Sequence, residues 1–165
     1  MALRKILTRE DPALSKVCRP VEKFDDRLHV LLDDMKETLA QANGVGLAAP
    51  QIGILRRVVV VDTQEQVLEL VNPVLIRTQG EQTGLEGCLS VPGMYGIVTR
   101  PSKAVVKAQD RFGNEFEVEG ADLVARCFCH ELEHLDGHLF VEHTDRLYTA
   151  QELEEMEEQA EAEQE

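Results

Sequence analysis

Leu28, Leu31, Leu32, Met35 and Leu39 recur at three- and four-residue steps between polar neighbours, which predicts an amphipathic helix over residues 26–42. Asp25 or Asp26 can cap its start, and Asn43 with Gly44 can close it in a left-handed turn. The small residues of Gly44–Gln51, GVGLAAPQ, predict a loop or strand whose backbone lies close to something. The run RRVVVVDT is β-branched without alternation and reads as a buried strand. VLELVNPVLIRT, residues 67–78, predicts two short strands divided at Asn72 and Pro73. Strand character continues to about residue 119, with a hairpin turn at Arg111–Asn114, so residues 57–119 should form mostly antiparallel sheet. From about Ala121 the period returns to helical, and Gly137 is placed to end a helix over 121–136. The last stretch, TAQELEEMEEQAEAEQE, favours helix but has too few apolar residues to bury a face. Its first turn or two should dock and the remainder fray.

A length of 165 residues suits one domain. We expect a catalytic domain over residues 1–148 and an acidic helical tail over 149–165. The net charge of −14 argues against attraction to DNA or to an anionic membrane. Much of it is local, because the last fifteen residues hold eight Glu and no Lys or Arg. No stretch approaches a membrane span, and the start MALRKILTRED reaches acidic residues before a signal-like run can form. The expectation is a soluble, cytosolic protein, in which Cys18, Cys88, Cys127 and Cys129 serve metal binding or burial rather than disulfides.

The chemistry concentrates in Cys127–Leu139, CFCHELEHLDGHL. His130 and His134 stand four apart, which puts both imidazoles on one helical face with Glu131 beside them. Such a pair can bind a divalent metal, and the carboxylate can move a proton there. Cys88, in Gly87-Cys88-Leu89-Ser90, is the expected third ligand, since a thiolate suits a borderline-soft cation. From spacing alone, a buried cysteine acting as a small hydrophobe is the alternative. Cys127 and Cys129 project badly toward the imidazoles and read as packing residues, while His29, His138 and His143 read as ordinary histidines.

GVGLAAPQ at 44–51, EGCLS at 86–90 and HELEHLDG at 130–137 resemble, in order and spacing, the three motifs of the peptide deformylases. The resemblance covers the chain from the early helix through Phe140. It implies an α+β fold in which antiparallel sheets surround the motif-bearing helix, with an N-terminal helix and a C-terminal helical tail. It also implies hydrolysis of the formyl group from the N-terminal formylmethionine of new proteins in a bacterial cytoplasm. Carried over by residue, Cys88, His130 and His134 match the metal ligands, and Glu131 matches the general acid and base. Gln51 and the backbone N–H of Leu89 match the oxyanion donors. The cation is expected to be Fe²⁺, with Zn²⁺, Ni²⁺ or Co²⁺ able to replace it. Gly44 and Gly46 would leave room for an extended formyl peptide, although turn glycines have an equal claim. Val45, Leu123 and Cys127 match positions of the pocket for the substrate's methionine. The partners implied are N-formylmethionyl nascent polypeptides and transient ribosome contact by a monomer.

The chain departs from the family pattern at several places. Glu133 stands where Asp is usual and is expected to pair with Arg100. Cys129 replaces a common Gln, and Tyr95 replaces an arginine that helps grip substrate. The all-acidic tail, unlike a basic C-terminal helix, would be repelled by RNA.

Overall fold

The computed structural model describes residues 2–164. Its first long element is α1 (Asp26–Ala42), whose Leu28, Leu31, Leu32, Met35 and Leu39 are all buried. Asp25 supplies the N-cap, its Oδ1 accepting from the Leu28 N–H at 3.2 Å. Asn43, at φ 53°, closes the helix in the left-handed conformation its short amide side chain tolerates.

The chain then forms β1 (Gly46–Ala48), a 3-10 turn at Ala49–Ile52, β2 (Val58–Asp62) and β3 (Val67–Gln79). There follow β4 (Gln82–Cys88), β5 (Val91–Arg100), β6 (Lys103–Gln109), β7 (Glu115–Ala121) and α2 (Leu123–His134). β8 (Leu147–Thr149) and α3 (Ala150–Glu163) complete the described chain. One sheet has the order β1-β2-β3-β6-β7 and the other β4-β5-β8, with every pairing antiparallel. The fold is α+β.

The unbroken valine run of β2 follows from burial on both sides. Val59 and Val61 pack with Ala125, Cys127 and Phe128 of α2, whereas Val58 and Val60 pack with the leucines of α1. Fully burying a side chain of this kind contributes about 1.5–3 kcal/mol. α2 is thereby pressed against the larger sheet.

Three expectations need correction. Residues 67–78 form one bent strand, with a register shift between Val71 and Val74 where Pro73 has no N–H to give the ladder. The Asn72 side chain spans the irregularity, holding both backbone groups of Val21 and the Gln109 side chain at 2.8–2.9 Å. α2 is shorter than 121–136, because Ala121 still belongs to β7 and Asp122, at φ 55°, makes the corner. Beyond it, Gly137 at φ 83° passes so near Ser15 that a Cβ would stand 2.6 Å from the Ser15 carbonyl oxygen. The tail does not fray after a turn or two: α3 runs to Glu163 without burying a residue. A capping box starts it, Thr149 Oγ1 accepting from the Glu152 N–H at 3.1 Å and Glu152 accepting from the Thr149 N–H at 3.2 Å.

Candidate metal and catalytic site

α2 puts His130 and His134 on the same face, and the end of β4 brings Cys88 to them from the smaller sheet. Cys88 Sγ lies 3.4 Å from His134 Nε2, which lies 3.2 Å from His130 Nε2. All three ligand atoms fall within 4.8 Å of one another. Facing lone pairs at such distances repel unless a proton or a cation lies among them. One thiolate and two imidazoles form a donor set suited to a transition-metal dication, so the group is a possible metal site.

Neighbouring groups orient these side chains. His130 Nδ1 donates to Glu86 Oε2 at 2.6 Å, leaving Nε2 with its lone pair toward the cluster. Glu86 is itself gripped by Arg100, through Nε at 3.0 Å and Nη2 at 2.7 Å, and by Arg126 Nη1 at 3.0 Å. Burial alone would raise the Glu86 carboxyl, but His130 and Arg100 outweigh it and bring the pKa to about 2. Arg100 also reaches Glu133 at 2.8 Å, the pairing expected from the sequence, and Glu133 meets His143 Nε2 at 2.7 Å on its other oxygen. His143 thus belongs to the surrounding network.

Glu131 is 4% exposed, and its Oε2 stands 4.0 Å from His130 Nε2. Burial pushes its carboxyl up to about 7, the range in which a group can take and return a proton near neutrality. Glu131 Oε1 and His134 Nδ1 are buried without a hydrogen-bond partner among the described residues. A buried carboxylate oxygen without a partner beside such a cluster keeps its capacity to accept a hydrogen bond from a water or a substrate group.

Gln51 is 1% exposed and lies under the cluster. Its Nε2 donates to Ser90 Oγ at 3.1 Å and approaches Cys88 Sγ at 3.6 Å, while its Oε1 accepts from the Ala48 N–H at 2.9 Å. Leu89 occupies the turn between β4 and β5. A cavity of about 490 Å³ opens onto Cys88, His130 and Glu131 and is also lined by Gly44, Val45, Gly46, Leu89, Leu123 and Cys127. Leu123 is half exposed at its mouth, whereas Cys127 belongs to the core as well as to the wall. Burial pushes both the Cys127 and the Cys129 thiols up, so they stay protonated. Gly46 has a packing reason to lack a side chain, since a Cβ there would stand 2.5 Å from Cys127 Sγ and 2.7 Å from Glu131 Oε2. At Gly44 a Cβ would meet only the movable ends of Leu89 and Leu39.

No role was expected of Glu86 and Ser90, the two ends of EGCLS, or of Arg126. Alternation along β4 places Glu86 on the side of Cys88, and the four-residue step places Arg126 on the face of His130. Those two periods were the available signals; for Ser90 the signal was its place in the EGCLS motif.

The pattern of the polypeptide deformylase family matches residues 3–150. A peptide deformylase of Caldicellulosiruptor bescii is 57% identical over 154 residues, covering 93% of each chain. One from Agathobacter rectalis is 56% identical over 142 residues, covering 86% of this chain and 90% of the relative. Among solved structures, a peptide deformylase from Legionella pneumophila superposes with a TM-score of 0.84 at 47% identity, covering 87% of each chain. That from Thermotoga maritima gives 0.85 at 35% identity, covering 88% of this chain and 100% of the other. The chain belongs to the polypeptide deformylase family, metallohydrolases that remove the N-formyl group from newly synthesised proteins.

Proposed function

We propose that Cys88, His130 and His134 hold one divalent cation, Fe²⁺ in the cell, with Zn²⁺, Ni²⁺ or Co²⁺ able to take its place. The observation that carries this reading is the meeting of one sulfur and two nitrogens behind the cavity wall that Cys88 and His130 line, beside a buried carboxylate oxygen without a partner. The cation, when bound, supplies Lewis-acid polarisation of the formyl carbonyl and lowers the pKa of an adjacent water.

The remaining work falls to the chain. Glu131 takes a proton from the attacking water and passes it to the nitrogen as the carbon–nitrogen bond breaks, leaving formate and a free amine. Negative charge grows on the former carbonyl oxygen, where the Gln51 amide and the Leu89 N–H act as donors. A neutral amide suits that place because it adds no charge to compete for the cation. Glu86 holds His130 in the tautomer that leaves Nε2 free. Val45, Leu123 and Cys127 receive the methionine side chain, with Gly44 and Gly46 giving the substrate backbone room.

Residues 1–148 form the catalytic unit in this reading and 149–165 an appended tail. The protein works as a monomer in a bacterial cytoplasm, and any ribosome contact is transient. Among the described residues no helix is long and apolar enough to cross a membrane.

Glu131→Gln tests the chemistry. The variant is expected to keep the metal content of the parent and to lose at least about 10²-fold in formate release from a formylmethionyl peptide, the usual scale of a general acid–base group. Turnover at the parent rate with the metal retained would overturn the role given to Glu131.

A further inference from the structure

The smaller sheet turns one face toward α2 and the other to solvent. In such a sheet the outward positions are ordinarily polar. The cross-strand pair Thr83–Thr99 follows that rule. The next outward pair, Leu85–Ile97, does not: these side chains are 51% and 48% exposed. The third outward pair is Gly87–Tyr95, and the Tyr95 ring lies over the glycine, so close that a Cβ there would stand 2.9 Å from it. Tyr95 is in turn paired with Tyr148 of β8. Leu85, Ile97 and the Tyr95 ring therefore stand together on a solvent face, bounded at Tyr148 by the Arg146 guanidinium 4.4 Å over its ring.

This group joins the cavity. Leu85, Tyr95 and half-exposed Leu123 line the cavity mouth, while Ile97 lies just beyond it. Leu85 stands three residues before Cys88 on β4, about 10 Å along the strand at roughly 3.4 Å per residue. An extended peptide whose formyl group sits at the cysteine covers that span with its first three residues.

We propose that Leu85, Tyr95 and Ile97 form a docking surface for an apolar side chain at the third or fourth residue of the formylated nascent chain, whichever of the two an extended peptide turns toward this face. The inference rests on the deformylase reading and adds a substrate preference to it. Such a contact is made alike in ground and transition states, so it lowers KM and leaves kcat unchanged.

The test compares formyl-Met-Ala-Leu-Leu with formyl-Met-Ala-Ser-Ser, using formyl-Met-Ala as a reference that ends before the surface. The parent enzyme is expected to favour the leucine peptide by at least about fivefold in kcat/KM, through KM, as fits partial burial of an apolar side chain. In Ile97→Thr and Ile97→Glu that preference should fall to about twofold or less, with formyl-Met-Ala turned over at the parent rate. Both substitutions are at an exposed position and should leave the thermal midpoint within a few degrees. Equal use of the two peptides by the parent, or a preference that both variants retain, would overturn the proposal. The reference dipeptide reports the chemistry alone, so its turnover separates a failure of this surface from a failure of the metal site.

Discussion

Glu86 holds three groups with one carboxylate, two guanidinium groups and the His130 imidazole, and through that imidazole it sets the direction of the proposed ligand nitrogen. It is 5% exposed, so none of these partners can be replaced by bulk water. Removing one member of a buried ionic network leaves the others uncompensated, at a cost of about 3–5 kcal/mol. Glu86→Gln should lose stability on that scale, seen as a lower denaturant midpoint with an unchanged slope. Cation affinity should also fall by about 10–100-fold, as for other groups that orient a ligand histidine. A variant as stable as the parent would show that the network is not cooperative. At this scale the sequence exposed the residues that sit in short motifs, and it also suggested the Glu133–Arg100 pair. It concealed the convergence of Glu86 with Arg126, because a strand residue and a helix residue 40 positions apart meet only through the tertiary fold.

Among the elements, Arg111 links the β6–β7 hairpin to α1 and β3 by reaching Asp33 and Glu69, and Lys36 reaches Glu69 at 3.2 Å. Burial raises the Glu69 carboxyl, but Arg111 and Lys36 outweigh it and leave the pKa below the usual value. A depressed folded pKa gives stability that is present above the unfolded value, about 4.3, and is lost as pH falls through the folded one. Glu69→Gln should therefore be less stable than the parent at neutral pH, and the gap should close on acidification below about pH 4. Thermal or denaturant midpoints across that range would show it; a gap that widened in acid would contradict it. The α1 caps, the hairpin turn at Arg111–Asn114 and the buried valine strand were all legible, because each depends on local pattern. The continuity of β3 was not. Asn72 and Pro73 look like a strand break, and only the partners of the Asn72 amide explain how the strand passes through them.

For the whole molecule, the question left by the sequence is the tail. α3 persists because its capping box and its helix-favouring residues suffice, not because it packs, since none of its residues is buried. Deleting residues 151–165 should change stability by no more than about 0.5 kcal/mol and remove the corresponding helical circular dichroism. Deletion should also leave ribosome cosedimentation unchanged or raised, because eight glutamates oppose an approach to RNA. Cosedimentation that disappeared with the tail would reverse its assigned role. The arrangement of two sheets around α2 was foreseeable only through the family resemblance, since periodicity predicts strands but not how they divide between sheets.

The proposed chemistry requires one sulfur and two nitrogens to share a cation. X-ray absorption of the zinc-loaded protein measures that directly. The predicted shell has one sulfur at about 2.3 Å and two imidazole nitrogens at about 2.0–2.1 Å, with the sulfur lost in Cys88→Ser. A shell of nitrogen and oxygen alone in the parent, or a sulfur that survives the loss of Cys88, would contradict it.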